Sequence, residues 1–312
     1  MGSGHHHGHS HDHDHGHHHG AAKSGHGAAF AIAVALNLTF VVVEVLAGLA
    51  SQSTALLADA GHNLSDILSL LLAWGASVLA ARRPSGRFTY GLRGGSILAA
   101  LANAALLWAA LGAILIETLH RLTDPAQPAG LTMIIVASIG IAINGLSAML
   151  FARGSKGDLN LRAAFQHLLA DAAISAGVVA AGMAVLFTGA SWIDPVTSLA
   201  ITAVIGVGSW GLLRQAVKLA LAGVPDGIDQ AEVRSFLESH PEVSAVHDLH
   251  IWAMSTTETA LTAHLEAPQG HSGDHLLQAL AHELEHRFGI GHATIQVETG
   301  AQPCALAGDE VV

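Results

Sequence analysis

The stretch LLADAGHNLSD at residues 56–66 and the stretch AAFQHLLADAAIS at 163–175 each contain His-x-x-x-Asp: His62 with Asp66, and His167 with Asp171. On a helix, i,i+4 spacing sends both side chains off the same face, one turn apart. Two such helices packed together present two imidazoles and two carboxylates to one point. That is a four-coordinate nitrogen and oxygen site suited to Zn²⁺ or a similar divalent metal. Both stretches lie in long apolar segments, where an Asp at the centre of a membrane helix costs about 2.5–3.5 kcal/mol. An ionisable residue in such a segment marks a functional site. A single pair is explained by hydrogen bonding between helices; two pairs of identical spacing point to a metal.

Composition agrees with a membrane setting. The chain has 312 residues, 51% hydrophobic and 12% charged, against about 25% charged in a typical soluble domain. Six apolar stretches, at about 27–49, 54–81, 95–119, 130–152, 161–188 and 193–220, each approach the ~20 residues a bilayer requires. Their connections differ in charge. Arg82, Arg83, Arg87 and Arg93 occupy the loop after the second stretch, and Arg153, Lys156 and Arg162 the loop after the fourth. The connections near 50–53 and 189–192 have no Lys or Arg, and the one near 120–129 has only Arg121. The positive-inside rule places the Arg-rich loops, and with an even number of spans both termini, in the cytoplasm. The second and fifth spans then run in the same direction, so their His-x-x-x-Asp pairs can lie at matching depth. Asp59 shares a helical stripe with His62 and Asp66. It reads equally as a spare carboxylate on the approach path or as a structural group near the membrane edge.

The remaining sequence divides into a short head and a soluble tail. Residues 1–26 are His-rich and expected to stay disordered until metal binds. MGSG before histidine could be an expression tag, but the longest His run is three and Gly, Ser and Asp interrupt it irregularly. A native metal-buffering segment is the favoured reading. It has no apolar region of the kind a signal peptide needs. The transmembrane region covers 27–222, closed by Gly223-Val224-Pro225-Asp226-Gly227. From 223 to 299 the pattern is helix (229–239), strand (243–254), strand (257–266), helix (273–288, stopped by Gly289) and strand (293–298), a small α+β domain. Residues 300–312 form a tail. The expected fold is thus a polytopic α-helical membrane protein with six transmembrane helices and a C-terminal α+β domain.

Charge and motifs exclude several functions. A formal net charge of −11 excludes a general nucleic-acid binder. No phosphate-binding Gly-x-x-x-x-Gly-Lys-Ser/Thr loop is present, which argues against a nucleotide-driven pump. With one cysteine, Cys304 in the polar tail, neither a disulfide framework nor a Cys-based zinc site is expected. Metal binds the deprotonated forms of His and Asp, so metal loading releases protons and protonation releases metal. A protein that exposes such a site alternately to each side exchanges metal for protons.

LLADAGHNLSD, AAFQHLLADAAIS, RFTYGLR at 87–93, VHDLHIW at 246–252, AHLE at 263–266 and ATIQVE at 293–298 together resemble the cation diffusion facilitator family of metal/proton antiporters. The resemblance covers nearly the whole chain outside residues 1–26 and the last dozen. It implies a homodimer in a lipid bilayer, with a metallochaperone-like cytoplasmic domain, exporting Zn²⁺ from the cytoplasm in exchange for protons. It implies that His62, Asp66, His167 and Asp171 are the transport ligands. It makes His247, His250, His264, His292 and Glu298 candidates for regulatory zinc sites. A bacterial inner membrane is the expected location. His247 and His250 differ by three, so a regular strand would point them to opposite faces.

Two other readings compete. HELEHRFGIGH at 282–292 matches the metzincin signature, with His282, His286 and His292 as ligands and Glu283 as base. No Met follows Met254 to supply a Met-turn, and only about sixty soluble residues precede the motif, too few for a catalytic domain. A membrane-anchored metalloprotease is therefore the weaker alternative, as is a metal sensor that binds without transporting.

Overall fold

The computed structural model describes residues 26–80, 82–124, 126–152, 159–300 and 304–307. The His-rich head expected at 1–26 lies almost entirely outside these residues, as does most of the basic connection expected at 153–162.

Six long helices come first: α1 (His26–Ala50), α2 (Thr54–Ala80), α3 (Gly95–Thr123), α4 (Gly130–Ala152), α5 (Leu159–Thr188) and α6 (Ile193–Ala220). Among the described residues, Gly95–Thr123, Gly130–Met149, Phe165–Thr188 and Ile193–Ala220 are long and apolar enough to cross a membrane, and Ala35–Ala50 is a shorter apolar helix. The six spans expected from the sequence are thus met by four on length and apolarity. The outward faces are apolar, with Phe187 83% and Val207 80% exposed and Leu98, Leu106, Ile116 and Leu146 also bare. Such large exposed apolar surface requires an apolar solvent, and helices are the spanning element that satisfies its own backbone there.

Two features fix the bundle. The first is Asp194, at the start of α6 and 1% exposed. Its carboxylate accepts from Ser53 Oγ at 2.5 Å, from Thr54 N at 2.8 Å and from Thr54 Oγ1 at 2.9 Å. The first turn of α2 has backbone N–H groups with no partner inside the helix, and an acid from α6 supplies the acceptor and the favourable charge. Ser53 Oγ completes the cap by accepting from Leu56 N at 3.2 Å. The second feature is the close approach of α4 and α5. A Cβ on Gly182 would lie 2.9 Å from the Gly130 carbonyl oxygen, and one on Gly130 would lie 2.6 Å from the Gly182 carbonyl oxygen. Only glycine lets the two backbones meet so closely.

The C-terminal unit comprises α7 (Gln230–Glu238), β1 (Ala245–Ala253), β2 (Thr259–Glu266), α8 (Asp274–Phe288) and β3 (His292–Glu298). Asp229 caps α7, its side chain accepting from Ala231 N at 2.8 Å. Gly289 ends α8 in the left-handed conformation at φ +68°. The sheet order is β1-β2-β3, with β1 antiparallel and β3 parallel to β2. Val233 and Leu237 of α7 and Leu276, Leu280 and Leu284 of α8 pack on Val246, Leu249, Ile251, Leu261 and Leu265. The helices therefore cover one face of the sheet, while the opposite face carries His247, His264 and Glu298.

Asp194→Ala strands buried donors at the head of α2. It is expected to lower thermal stability in detergent by about 1–3 kcal/mol, with Asp194→Asn retaining part of the loss, as read from thermal unfolding of the two variants beside the parent.

Candidate metal sites

The first site forms where α2 meets α5. His62 and Asp66 lie on one stripe of α2, and His167 and Asp171 on one stripe of α5. His62 Nε2 lies 3.1 Å from Asp171 Oδ1 and 3.7 Å from Asp66 Oδ2. His167 Nε2 lies 3.3 Å from Asp66 Oδ2 and 3.6 Å from Asp171 Oδ2. The four groups close a ring in which each imidazole faces both carboxylates. The rings of His62 and His167 meet edge to face, 5.9 Å between centroids. Ligand atoms of His62, Asp66 and Asp171 all fall within 4.8 Å of one another. His167 reaches both carboxylates from the rim, its side chain 50% exposed against 5% for Asp171. The four residues expected to act together are brought to one place, with donor types that fit a divalent ion of borderline softness.

Asp59 lies in the interior, 0% exposed, and accepts from Ser175 Oγ of α5 at 2.9 Å. It stands outside the four-residue ring.

The second site lies on the bare face of the sheet. His247 and His264 are register partners on β1 and β2, their rings 5.3 Å apart. Glu298 at the end of β3 reaches both, with Oε1 3.0 Å from His264 Nδ1 and Oε2 3.4 Å from His247 Nε2. The Cys304 sulfur lies 3.5 Å from His264 Nδ1. Ligand atoms of His247, His264, Glu298 and Cys304 fall within 4.8 Å of one another. His247 Nε2 is buried and makes no hydrogen bond, its contact with Glu298 being an ion-pair distance only.

Hydrogen bonding from the Cys304 thiol, more than the nearby His247 and His264, holds the Glu298 carboxyl below its usual range. The Leu306 N–H on the Cys304 sulfur favours thiolate, but burial and the Glu298 carboxylate outweigh it and push the thiol up.

The cluster corrects three expectations. A β-bulge between His247 and His250, with Asp248 at φ +49°, breaks the two-residue alternation, so His250 stands on the same face as His247 and His264 rather than the opposite one. His250 stays outside the tight group and reaches it through Asp248, whose carboxylate lies 2.8 Å from His250 Nε2 and 3.4 Å from His264 Nε2. His292 is not brought to the cluster at all. It starts β3, six residues and roughly 20 Å from Glu298 at ~3.3 Å per residue, and its ring packs edge-on against Tyr90 at 5.5 Å. Cys304, set aside because a lone cysteine builds no Cys-based site, supplies the fourth donor. Cys304 meets His264 of β2, a contact that spacing along the chain cannot reveal.

The protease motif does not assemble. His282 and His286 share a face of α8, their centroids 4.4 Å apart. Both are exposed, Glu283 is exposed, and His292 sits against Tyr90. Among the described residues, neither group of potential metal ligands includes any of them.

The fold and both clusters now meet the comparisons with known proteins. The cation efflux transmembrane domain matches residues 30–219, and the cytoplasmic domain of cation efflux proteins matches residues 225–300. The zinc transporter ZitB of Escherichia coli strain K12 is 37% identical over 267 residues, 85% of this chain and 84% of that one. The cation efflux system protein CzcD of Alcaligenes sp. strain CT14 is 35% identical over 270 residues, 86% of this chain and 85% of that one. The cadmium, cobalt and zinc/H⁺-K⁺ antiporter of Bacillus subtilis strain 168 is 32% identical over 267 residues, 84% of this chain and 86% of that one. Apolar outward faces, a two-helix ligand ring and a cytoplasmic-type α/β unit describe an integral membrane protein that handles metal cations. The chain belongs to the cation efflux, or cation diffusion facilitator, family.

Co²⁺ accepts the same nitrogen, oxygen and sulfur donors as Zn²⁺. The Co²⁺-loaded full-length protein is expected to show a sulfur-to-metal charge-transfer band in its absorption spectrum. Cys304→Ser should abolish that band and His292→Ala should leave it in place. A parent spectrum without the band would remove Cys304 from the ligand set.

Proposed function

We propose that this protein exports Zn²⁺ from the cytoplasm in exchange for protons, and that His62, Asp66, His167 and Asp171 carry the ion across the membrane. The observation that supports this most is the closed ring of two imidazoles and two carboxylates between α2 and α5. Two neutral imidazoles and two carboxylates balance one divalent cation, the least costly arrangement in a low-dielectric interior. The same donors bind protons, so proton and metal compete for one set of lone pairs. The three relatives described above carry zinc or cation efflux in their names, and one names a proton antiport.

In this reading, residues 27–222 form six transmembrane helices with both termini in the cytoplasm. Residues 223–299 form the cytoplasmic domain, which pairs two copies of the chain into a homodimer. His247, His264, Glu298 and Cys304 there bind zinc as a regulatory ligand rather than as cargo. The protein works in a lipid bilayer, a bacterial inner membrane, without nucleotide.

Reconstituted into liposomes, the parent is expected to move Zn²⁺ under an imposed pH gradient. Asp66→Ala and Asp171→Ala should each reduce flux to the background of empty liposomes, while Glu283→Gln transports as the parent does. Flux that survives loss of both aspartates would overturn the assignment of the membrane ring. Binding with no flux under any gradient would instead support a sensor.

A further inference from the structure

One pair of buried acids is left over by the metal ring. Glu44 on α1 and Asp59 on α2 are each 0% exposed. Glu44 Oε2 accepts from Asn63 Nδ2 at 3.1 Å, and Asp59 Oδ2 accepts from Ser175 Oγ at 2.9 Å. Their other oxygens, Glu44 Oε1 and Asp59 Oδ1, are buried with no donor. Asp59 and Asn63 stand one turn apart on the same stripe of α2, so Glu44, held by Asn63, is brought beside Asp59.

Ionised carboxylates only accept. Two facing acceptors repel, and no Lys or Arg among the described residues pairs with either. The titratable groups that face the pair from the packed helices are His62 of α2 and Asp171 of α5, both acting at longer range; Asn63 and Ser175 are the neutral neighbours. A dianion without a counter-ion is untenable in a dry interior. One proton resolves both defects. It removes one charge and turns one acid into the donor that the other's orphaned oxygen needs, the arrangement of acid dyads in which like charges cannot both ionise.

We propose that Glu44 and Asp59 share one proton and form a proton-binding site, distinct from the four metal ligands, that unloads as the metal site fills and reloads as it empties. The coupling rests on the antiport reading above; the shared proton does not. In the unloading step, the O–H bond of the shared carboxyl breaks and its proton leaves to water. The arriving ion cancels the charge of the two ring carboxylates, Asp66 and Asp171, which had favoured the proton on the pair, so the second carboxylate costs less to form. The reverse step takes a proton from water as the metal departs.

Glu44→Gln is the informative variant. Glutamine keeps the shape and can donate to Asp59, so a purely structural hydrogen bond survives while the titratable proton is lost. In the full-length parent at neutral pH, the infrared spectrum should contain a protonated carboxylic acid band that disappears when Zn²⁺ is added. The band should be absent from Glu44→Gln and from Asp59→Asn. In liposomes, Glu44→Gln should lose the stimulation of Zn²⁺ flux by a pH gradient while still binding Zn²⁺. A parent spectrum without the band overturns the shared proton, and needs no variant to fold. Glu44→Gln flux with the parent's gradient dependence overturns its role in exchange. A parent that shows the band but no gradient-driven flux overturns the antiport reading and the coupling with it, and leaves the shared proton standing.

Discussion

Charge balance inside an apolar bundle is the constraint on which the rest of the molecule depends. The ring of His62, Asp171, His167 and Asp66 sits between helices whose outer surfaces are bare hydrocarbon side chains. With both imidazoles neutral, the ring carries two negative charges, one of them on the buried Asp171. Only two kinds of occupant cancel them: one divalent cation, or protons held by the same side chains. On the reading proposed above, metal and protons take turns on these donors, and an uncompensated ring is the most costly state.

The packing of the bundle places that ring at a seam. α5 is held tightly against α4 through Gly130 and Gly182. α2 is anchored instead to α6 through Asp194, and α6 to α3 through the Thr118–Ser198 hydroxyl pair at 3.0 Å. The ligands thus come from two groups of helices rather than one. A small shift of one group against the other changes all four ligand distances together. The glycine contact and the buried Asp194 tie each group internally, so the ligand ring lies at the boundary between them.

The sequence made this membrane site legible because helical periodicity is strict: i,i+4 pairs share a face whatever surrounds them. The same logic failed in the soluble domain. Strand alternation predicts that His247 and His250 diverge, but Asp248 adopts a left-handed conformation that Asp tolerates better than most residues, and the bulge rotates His250 back. Nothing local signals that bulge. Cys304 was illegible for a different reason: it lies forty positions from His264 along the chain and meets it only in the folded protein. Glu44 is the reverse case. A lone Glu in an apolar helix is a readable signal, but its partner on α2 emerges only from the packing of α1 against α2.

The soluble domain meets the membrane domain through contacts that are weak one at a time. Arg93 pairs with Glu258 at 3.0 Å, Ser96 Oγ accepts from Thr256 N at 3.0 Å, and Tyr90 packs against His292. The ion pair is substantially exposed and contributes little stability. Position matters more. Arg93 and Ser96 flank the start of α3, Thr256 and Glu258 lead into β2, and His292 opens β3 beside Ala260. β2 then runs to His264, and β3 to Glu298. The two strands that supply half of the cytoplasmic ligands are thus the strands whose opposite ends rest on the membrane domain. The cluster of His247, His264, Glu298 and Cys304 thus lies at the ends of β2 and β3 remote from the entry to α3. Tyr90, on the connection leading into α3, gives His292 a place in this contact, which explains its position better than a ligand role does.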